Sequence, residues 1–245
     1  MAVKPGLSAL LGLRRGEALA IVGCGGKTSL VGLLARENRH LKVLILPTAR
    51  ILPMRADEAI ICTTLDACLA HRPQPGVQCL AVTDAATGKL GSPPPELLPR
   101  LAEGYDLVLM EADGSRMLPC KGWREGEPVV PSFTTRTIGV ITTAALGLPA
   151  DENTVLRLPE FSALTGLQPG EAITLAALAD MAGAPGGMFE KAVGEKILLI
   201  NKVDSPGQPC EDALRLASIF RRRWPSAADE IIYGSIHQNA WRTAP

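Results

Sequence analysis

Gly23-Cys24-Gly25-Gly26-Lys27-Thr28-Ser29 follows the apolar run Ala18–Val22 and leads into a stretch of helical composition, Lys27–Glu37. Glycines let the backbone bend sharply and turn its N–H groups inward with no Cβ in the way. A helix start adds unpaired N–H donors and partial positive charge. Lys27 brings a full charge for β- and γ-phosphates, and Thr28 a hydroxyl for Mg²⁺. Together these residue types offer capture of a nucleoside triphosphate, with Gly23, Cys24, Gly25, Gly26, Lys27, Thr28 and Ser29 as the cradle.

A second group points the same way. Leu107–Met110 is an apolar strand that ends in Glu111-Ala112-Asp113-Gly114. Carboxylates at a strand end can hold Mg²⁺, which prefers oxygen ligands and keeps part of its water shell. Alternate strand positions face one side, so Glu111 and Asp113 can work together. One would bind the metal beside Thr28 while the other orients the attacking water. Lys27, Glu111 and Asp113 are the candidate catalytic residues.

A third element, Asn201-Lys202-Val203-Asp204, follows the strand-like run Lys196–Ile200, apolar at its centre, and matches the N-K-x-D pattern of GTP-binding proteins. The Asp204 carboxylate can accept both N1–H and N2–H of guanine, and adenine offers no such pair. Sites built on such pairing reject a partner that lacks it by about 10⁴-fold. Asn201 would hold the base edge or brace the phosphate loop, and the stem of Lys202 would cover the purine. GTP is therefore expected over ATP, with Mg²⁺.

Other residues carry weaker signals. Thr48 follows the strand Leu41–Leu46, where a hydroxyl could reach the metal or only close a turn. Arg116 and Lys121 could meet a phosphate or a substrate anion, although a solvated loop is the plainer reading. Helix amides could lower the pKa of Cys24, yet its side chain reads as a space filler. Trp123, Trp224 and Trp241 are too dispersed for a stacking platform. The six cysteines form no CxxC pair, so neither zinc nor a disulfide framework is expected.

The elements that must position these groups alternate strand and helix, which implies an α/β fold, three-layered, with a mostly parallel central sheet. Further strands are read at Glu58–Cys62, Val77–Thr83, Ile138–Thr142 and, last, Glu230–Tyr233. Helices are read from Pro93 through Leu101, at Pro159–Gly166, Ile173–Met181 and Pro209–Arg223. Residues 114–131, rich in Gly, Pro and charge, read as a long inserted loop in a single P-loop domain spanning 1–245. The 245 residues carry 25 Lys plus Arg against 25 Asp plus Glu. That balance argues against nucleic acid or a membrane surface as partner. No apolar run nears the roughly 20 residues of a membrane helix. Met1–Leu13 reads as a short amphipathic helix rather than a secretory signal.

The short spacing Gly23-x-x-Gly26-Lys27-Thr28 places Ile21 where the commoner phosphate loop has its first glycine. It resembles the loop of Mur-type peptide ligases, so an ATP-dependent ligase stays open as an alternative. So does a non-catalytic nucleotide-binding module. Taken in order, the loop, Glu111-Ala112-Asp113-Gly114-Ser115-Arg116, Leu118-Pro119-Cys120-Lys121, Arg157-Leu158-Pro159-Glu160, Leu164-Thr165-Gly166 and Asn201–Asp204 resemble the YqeC family. That resemblance covers Ala18 to Asp204 and implies a cytoplasmic accessory protein for a selenium-dependent molybdenum hydroxylase or its cofactor. Two departures stand out. Leu46-Pro47-Thr48-Ala49-Arg50 lacks the threonine run of relatives, and Leu158 replaces a more polar position. On this reading slow GTP hydrolysis would switch the 114–131 loop toward a client enzyme.

Overall fold

The computed structural model describes residues 6–51, 59–204 and 207–245. Its strands are β1 (Glu17–Gly23), β2 (Lys42–Ile45), β3 (Ile60–Cys62), β4 (Gly76–Leu80), β5 (Val82–Thr83), β6 (Leu90–Gly91) and β7 (Leu107–Glu111). They continue with β8 (Cys120–Lys121), β9 (Arg136–Thr142), β10 (Val155–Leu156), β11 (Glu195–Asn201), β12 (Glu230–Ser235) and β13 (Ala240–Thr243). The α-helices are α1 (Leu7–Leu10), α2 (Lys27–Glu37), α3 (Leu65–Ala70), α4 (Leu98–Ala102), α5 (Leu158–Thr165), α6 (Leu175–Gly183) and α7 (Gln208–Arg223).

Nine strands form one sheet in the order β13-β12-β11-β9-β1-β7-β2-β4-β3. Every pair in it is parallel except β12 with β13. The central strands are apolar on both faces, as parallel strands buried between helices must be. Their side chains divide by the two-residue period. Ala18, Ala20, Val22, Val108, Met110, Leu198 and Ile200 join one core with α5, α6 and α7. Leu19, Ile21, Leu107, Leu109, Ile197 and Leu199 join the other with α1 and α2. The fold is thus a three-layer α/β sandwich, as the alternation of elements implied.

The chain passes from β1 to β2, out to β3 at the edge, back through β4 to β7, then crosses β1 to build β9, β11 and β12. The direction of winding reverses at β1. In open α/β sheets the crevice outside the carboxyl ends at such a reversal is where ligands bind. Gly23 closes β1 there, Glu111 closes β7 beside it, and Asn201 closes β11 two strands away.

Several elements differ from the sequence reading. Glu230–Ser235 is not the last strand; the chain turns back into β13, which caps the sheet edge antiparallel. The run Val77–Thr83 divides into β4 and β5, and β5 pairs with β6 across a turn. Ile173 precedes its helix, because Thr174 caps α6 by accepting from the Ala177 N–H at 3.1 Å. A short helix, α3, was not expected. The strand expected from Glu58 begins at Ile60, and Glu58 itself lies outside the described residues, as do 1–5 of the expected N-terminal helix.

The 114–131 segment is not a loose loop. It contributes β8, which pairs with β10. A Cβ on Gly122 would stand 2.4 Å from the Phe161 nitrogen, so the segment lies directly on α5. Val129 N–H donates to Ala112 O at 2.9 Å, tying its far end to the exit of β7.

Candidate functional site

The bend between β1 and α2 uses a backbone that only glycine adopts easily. Gly23, Gly25 and Gly26 have φ of 96, 96 and 136°. Space is closed as well: added Cβ atoms would lie 2.3 Å from Val140 O, 2.8 Å from Thr142 Cγ2 and 2.5 Å from Asn201 Nδ2, respectively. Cys24 N–H anchors the bend by donating to Val140 O at 2.9 Å. No side chain caps α2, so the donors of its first turn stay open to an anion. Thr28 and Ser29, in that turn, are exposed.

Lys27 is buried beneath the loop. Its ammonium donates to Gly23 O at 2.6 Å and lies 3.3 Å from Asp113 Oδ1 and 3.9 Å from Glu111 Oε1. Burial opposes the charge, but Asp113 and Glu111 outweigh it and raise the Lys27 pKa. Lys27 therefore waits fully charged.

The two carboxylates, equivalent in the sequence, differ in three dimensions. Glu111 Oε2 accepts from the Thr28 hydroxyl at 2.9 Å, which sets two oxygens side by side at the mouth. Burial pushes the Glu111 carboxyl up from its ordinary value, with Lys27 and Thr28 pulling the other way. Asp113 is surrounded by donors. Its oxygens accept from Gly23 N–H at 3.1 and 3.2 Å, Trp123 Nε1 at 2.7 Å and Lys121 Nζ at 3.1 Å, in addition to the Lys27 contact. So the strand alternation does bring Glu111 and Asp113 to one face, with one turned to the mouth and one turned inward.

The inward side holds residues that sequence reasoning missed or placed in solvent. Lys121 is fully buried rather than in a solvated loop. It donates to Asp113 and to Gly114 O at 2.8 Å, approaches Glu127 Oε2 at 3.4 Å, and stands 5.1 Å above the Trp123 ring. Glu127 is held in turn by a two-pronged pair with Arg157, whose Nη2 donates to Oε1 at 2.6 Å. That hydrogen bond leads the causes that lower the Glu127 pKa. Trp123 was set aside as an isolated aromatic; its separation of ten residues from Asp113 hid the contact.

Asn201 braces the glycine loop. Its Nδ2 donates to Gly25 O at 2.8 Å, while its Oδ1 accepts from Ile236 N–H at 3.0 Å. One side chain thereby ties the loop to the ends of β11 and β12. Lys202 is exposed and takes φ of 66°. Asp204 is exposed too, with one carboxylate oxygen accepting from the Ser235 hydroxyl. Ser235 and Ile236 had no sequence signal, since they follow a strand expected to end at Tyr233.

Two of the weaker signals fall away. The Cys24 thiol is not activated: complete burial pushes its pKa to about 12, although Lys27 pulls it down. The Thr48 hydroxyl does not face the loop; it donates to Val129 O at 2.7 Å and helps seat the 114–131 segment. Arg116 remains exposed, at φ of 50°.

The residues present fit a triphosphate with Mg²⁺. Glycines approach neighbouring atoms so closely that only bare backbone fits, the helix start is uncapped, and Thr28 and Glu111 offer a hard oxygen pair. No helix among the described residues is long and apolar enough to cross a membrane.

Comparison with known proteins agrees with the sequence resemblance. The family model described as "YqeC protein" matches residues 19–159, a span that includes the glycine loop, both carboxylates and Lys121. A curated protein of Escherichia coli (strain K12), "Uncharacterized protein YqeC", is 27% identical over 234 residues, covering 92% of this chain and 90% of its own.

Proposed function

This chain belongs to the YqeC family, and we propose that it is a Mg²⁺-dependent nucleoside triphosphate-binding protein, selective for GTP, that hydrolyses its nucleotide slowly. The observation that carries this reading is the glycine bend itself. It joins a central strand to an uncapped helix and holds Lys27 beside Glu111 and Asp113.

Gly25 and Gly26, with the first turn of α2 through Ser29, would present N–H groups to the phosphates, while the N–H groups of Gly23 and Cys24, bonded to Asp113 and Val140 O, hold the shape of the bend. Lys27 would leave Gly23 O and turn to the β- and γ-phosphates. Thr28 and Glu111 would hold Mg²⁺, which would neutralise the developing charge on the phosphate oxygens. Asp113 acts as a positioning residue in this scheme, because its oxygens are committed to Gly23, Lys121 and Trp123. Asp204 retains one carboxylate oxygen for guanine, Lys202 covers the base, and Asn201 keeps the loop in register.

We further infer that the client is a selenium-dependent molybdenum hydroxylase or its cofactor-maturation machinery. Family resemblance supports that client. The segment 114–131 would report nucleotide state to it, since Lys121 and Trp123 bond directly to Asp113.

Titration of GTP and ATP into the purified protein with Mg²⁺ tests the core of the reading. GTP is expected to bind at least tenfold more tightly than ATP, a difference of about 1.4 kcal/mol. Lys27→Ala is expected to abolish binding of both. Equal affinity for wild type and Lys27→Ala would remove the reading.

A further inference from the structure

The charges that face the phosphate loop are nearly spent before any nucleotide arrives. Lys27 and Lys121 stand against Glu111 and Asp113. Lys121 is fully buried and bonded to Asp113, Gly114 O and Glu127, so it is not free to move to a ligand. Among the described residues, three further arginines are also engaged: Arg50 with Asp84 at 2.9 Å, Arg124 with Glu160 at 3.0 Å, and Arg157 with Glu127. Phosphoryl transfer spreads negative charge over the moving group, and a cation placed there lowers the barrier strongly.

Among the described residues that follow the strand ends, Arg116 is an arginine without such a partner. It is exposed, and among the described residues no ion pair or hydrogen bond engages its side chain. It lies three residues beyond Asp113, which itself accepts from Gly23 N–H. Three residues span at most about 10 Å, so the long arginine side chain can reach the space above the loop.

Its backbone is left-handed. Arg116 and Met117 take φ of 50 and 65° in succession, within a turn closed by Leu118 N–H donating to Ser115 O at 2.9 Å. Left-handed non-glycine residues are strained and gather at functional sites. Met117, the next residue, is 89% exposed, so the strain does not serve to bury an apolar side chain.

We propose that Arg116 is a further catalytic residue, whose guanidinium contacts the terminal phosphoryl group of the bound triphosphate and stabilises its charge during transfer to water. The assignment rests on the nucleotide-binding reading given above. In the step, the water oxygen bonds to the γ-phosphorus as the bond from that phosphorus to the β,γ-bridging oxygen breaks. The electron pair leaves on the diphosphate, and the water protons pass to the released phosphate and to solvent. Arg116 donates N–H groups to the γ-oxygens and exchanges no proton.

The test uses the full chain and two variants. Arg116→Gly accepts the left-handed backbone without strain, so it folds, and Arg116→Lys keeps the charge without the planar fork. Single-turnover GTP hydrolysis is expected to fall about 10³-fold or more in Arg116→Gly, with only slight recovery in Arg116→Lys. Affinity for a non-hydrolysable GTP analogue is expected to stay within about threefold of wild type, as for a group that acts in the transition state. Capture of aluminium fluoride with GDP and Mg²⁺ is expected in wild type alone. Hydrolysis unchanged in Arg116→Gly overturns the assignment. Wild type that binds GTP but neither hydrolyses it nor captures aluminium fluoride overturns it while the nucleotide-binding reading survives. Wild type that binds no nucleotide removes both.

Discussion

Asn201 Nδ2 donates to Gly25 O at 2.8 Å across 176 residues of chain. The glycine loop is therefore held by the far half of the sheet as well as by its own strand. Asn201→Ala removes this donor and the acceptor for Ile236 N–H together. The expected loss is about 1–3 kcal/mol of stability, with a larger loss of nucleotide affinity because the loop is released. Chemical denaturation with and without GTP checks the two effects, and a variant that loses stability but binds normally contradicts the brace.

Gly26→Ala should act on the same contact from the other side. A Cβ there stands 2.5 Å from Asn201 Nδ2 at a φ of 136°. Binding is expected to vanish. If restoring space with Gly26→Ala combined with Asn201→Gly recovers none of it, the backbone strain rather than the clash is responsible.

Asp113 and Lys121 form a pair with both side chains fully enclosed. Removing one partner from such a pair leaves an uncompensated buried charge and costs about 3–5 kcal/mol. Lys121→Met and Asp113→Asn should each destabilise by roughly that amount, and the double variant by less than the sum. Additive losses in a double-mutant cycle would show that the two groups do not depend on each other.

Acidity separates Glu111 from Glu127. The folded-state pKa of Glu111 is raised above its ordinary 4.5 by burial. The folded state then holds a proton that the unfolded state has lost, so the Glu111 contribution to stability falls as pH rises from 4.5 through the raised value. Mg²⁺ needs the ionised form, and metal-dependent GTP affinity should weaken on acidification over the same window. Glu111→Gln should melt no lower than wild type without ligand and show no Mg²⁺-dependent gain in affinity. A clear drop in its melting temperature would argue that Lys27 pairing outweighs burial.

Glu127 behaves in the opposite sense. Hydrogen bonding from Arg157 lowers its pKa below 4.5, so its stabilising contribution is complete above 4.5 and is lost as pH falls through the lowered value. Arg157→Ala should therefore flatten the acid limb of the stability profile below pH 4.5. An unchanged acid limb would mean that Glu127 is not what titrates there.

The loop, the acidic strand end and Asn201–Asp204 were legible because each is local: a strand, a short polar motif, then a turn or helix. The layered fold was legible from the same alternation. Periodicity could place Glu111 and Asp113 on one face but could not say which donors surround each, since Trp123, Lys121 and Gly23 come from separate segments. Lys121 looked like a loop lysine because its partners, Glu127 and through it Arg157, are joined only by the fold. β13 escaped notice because Ala240-Trp241-Arg242-Thr243 is short and mixed, and its pairing rests on the turn that also delivers Ser235 and Ile236 to the base element.

Of the nine strands in the main sheet, β1 is the fifth from either side. Opening of such a sheet starts at its margins and moves inward, so amide exchange should be fastest in β3 and β13 and slowest in β1. The hinge of the glycine loop is then rooted in the last part of the molecule to let solvent in. Thermal fluctuation at the rim can proceed without loosening the ammonium group of Lys27 from its place.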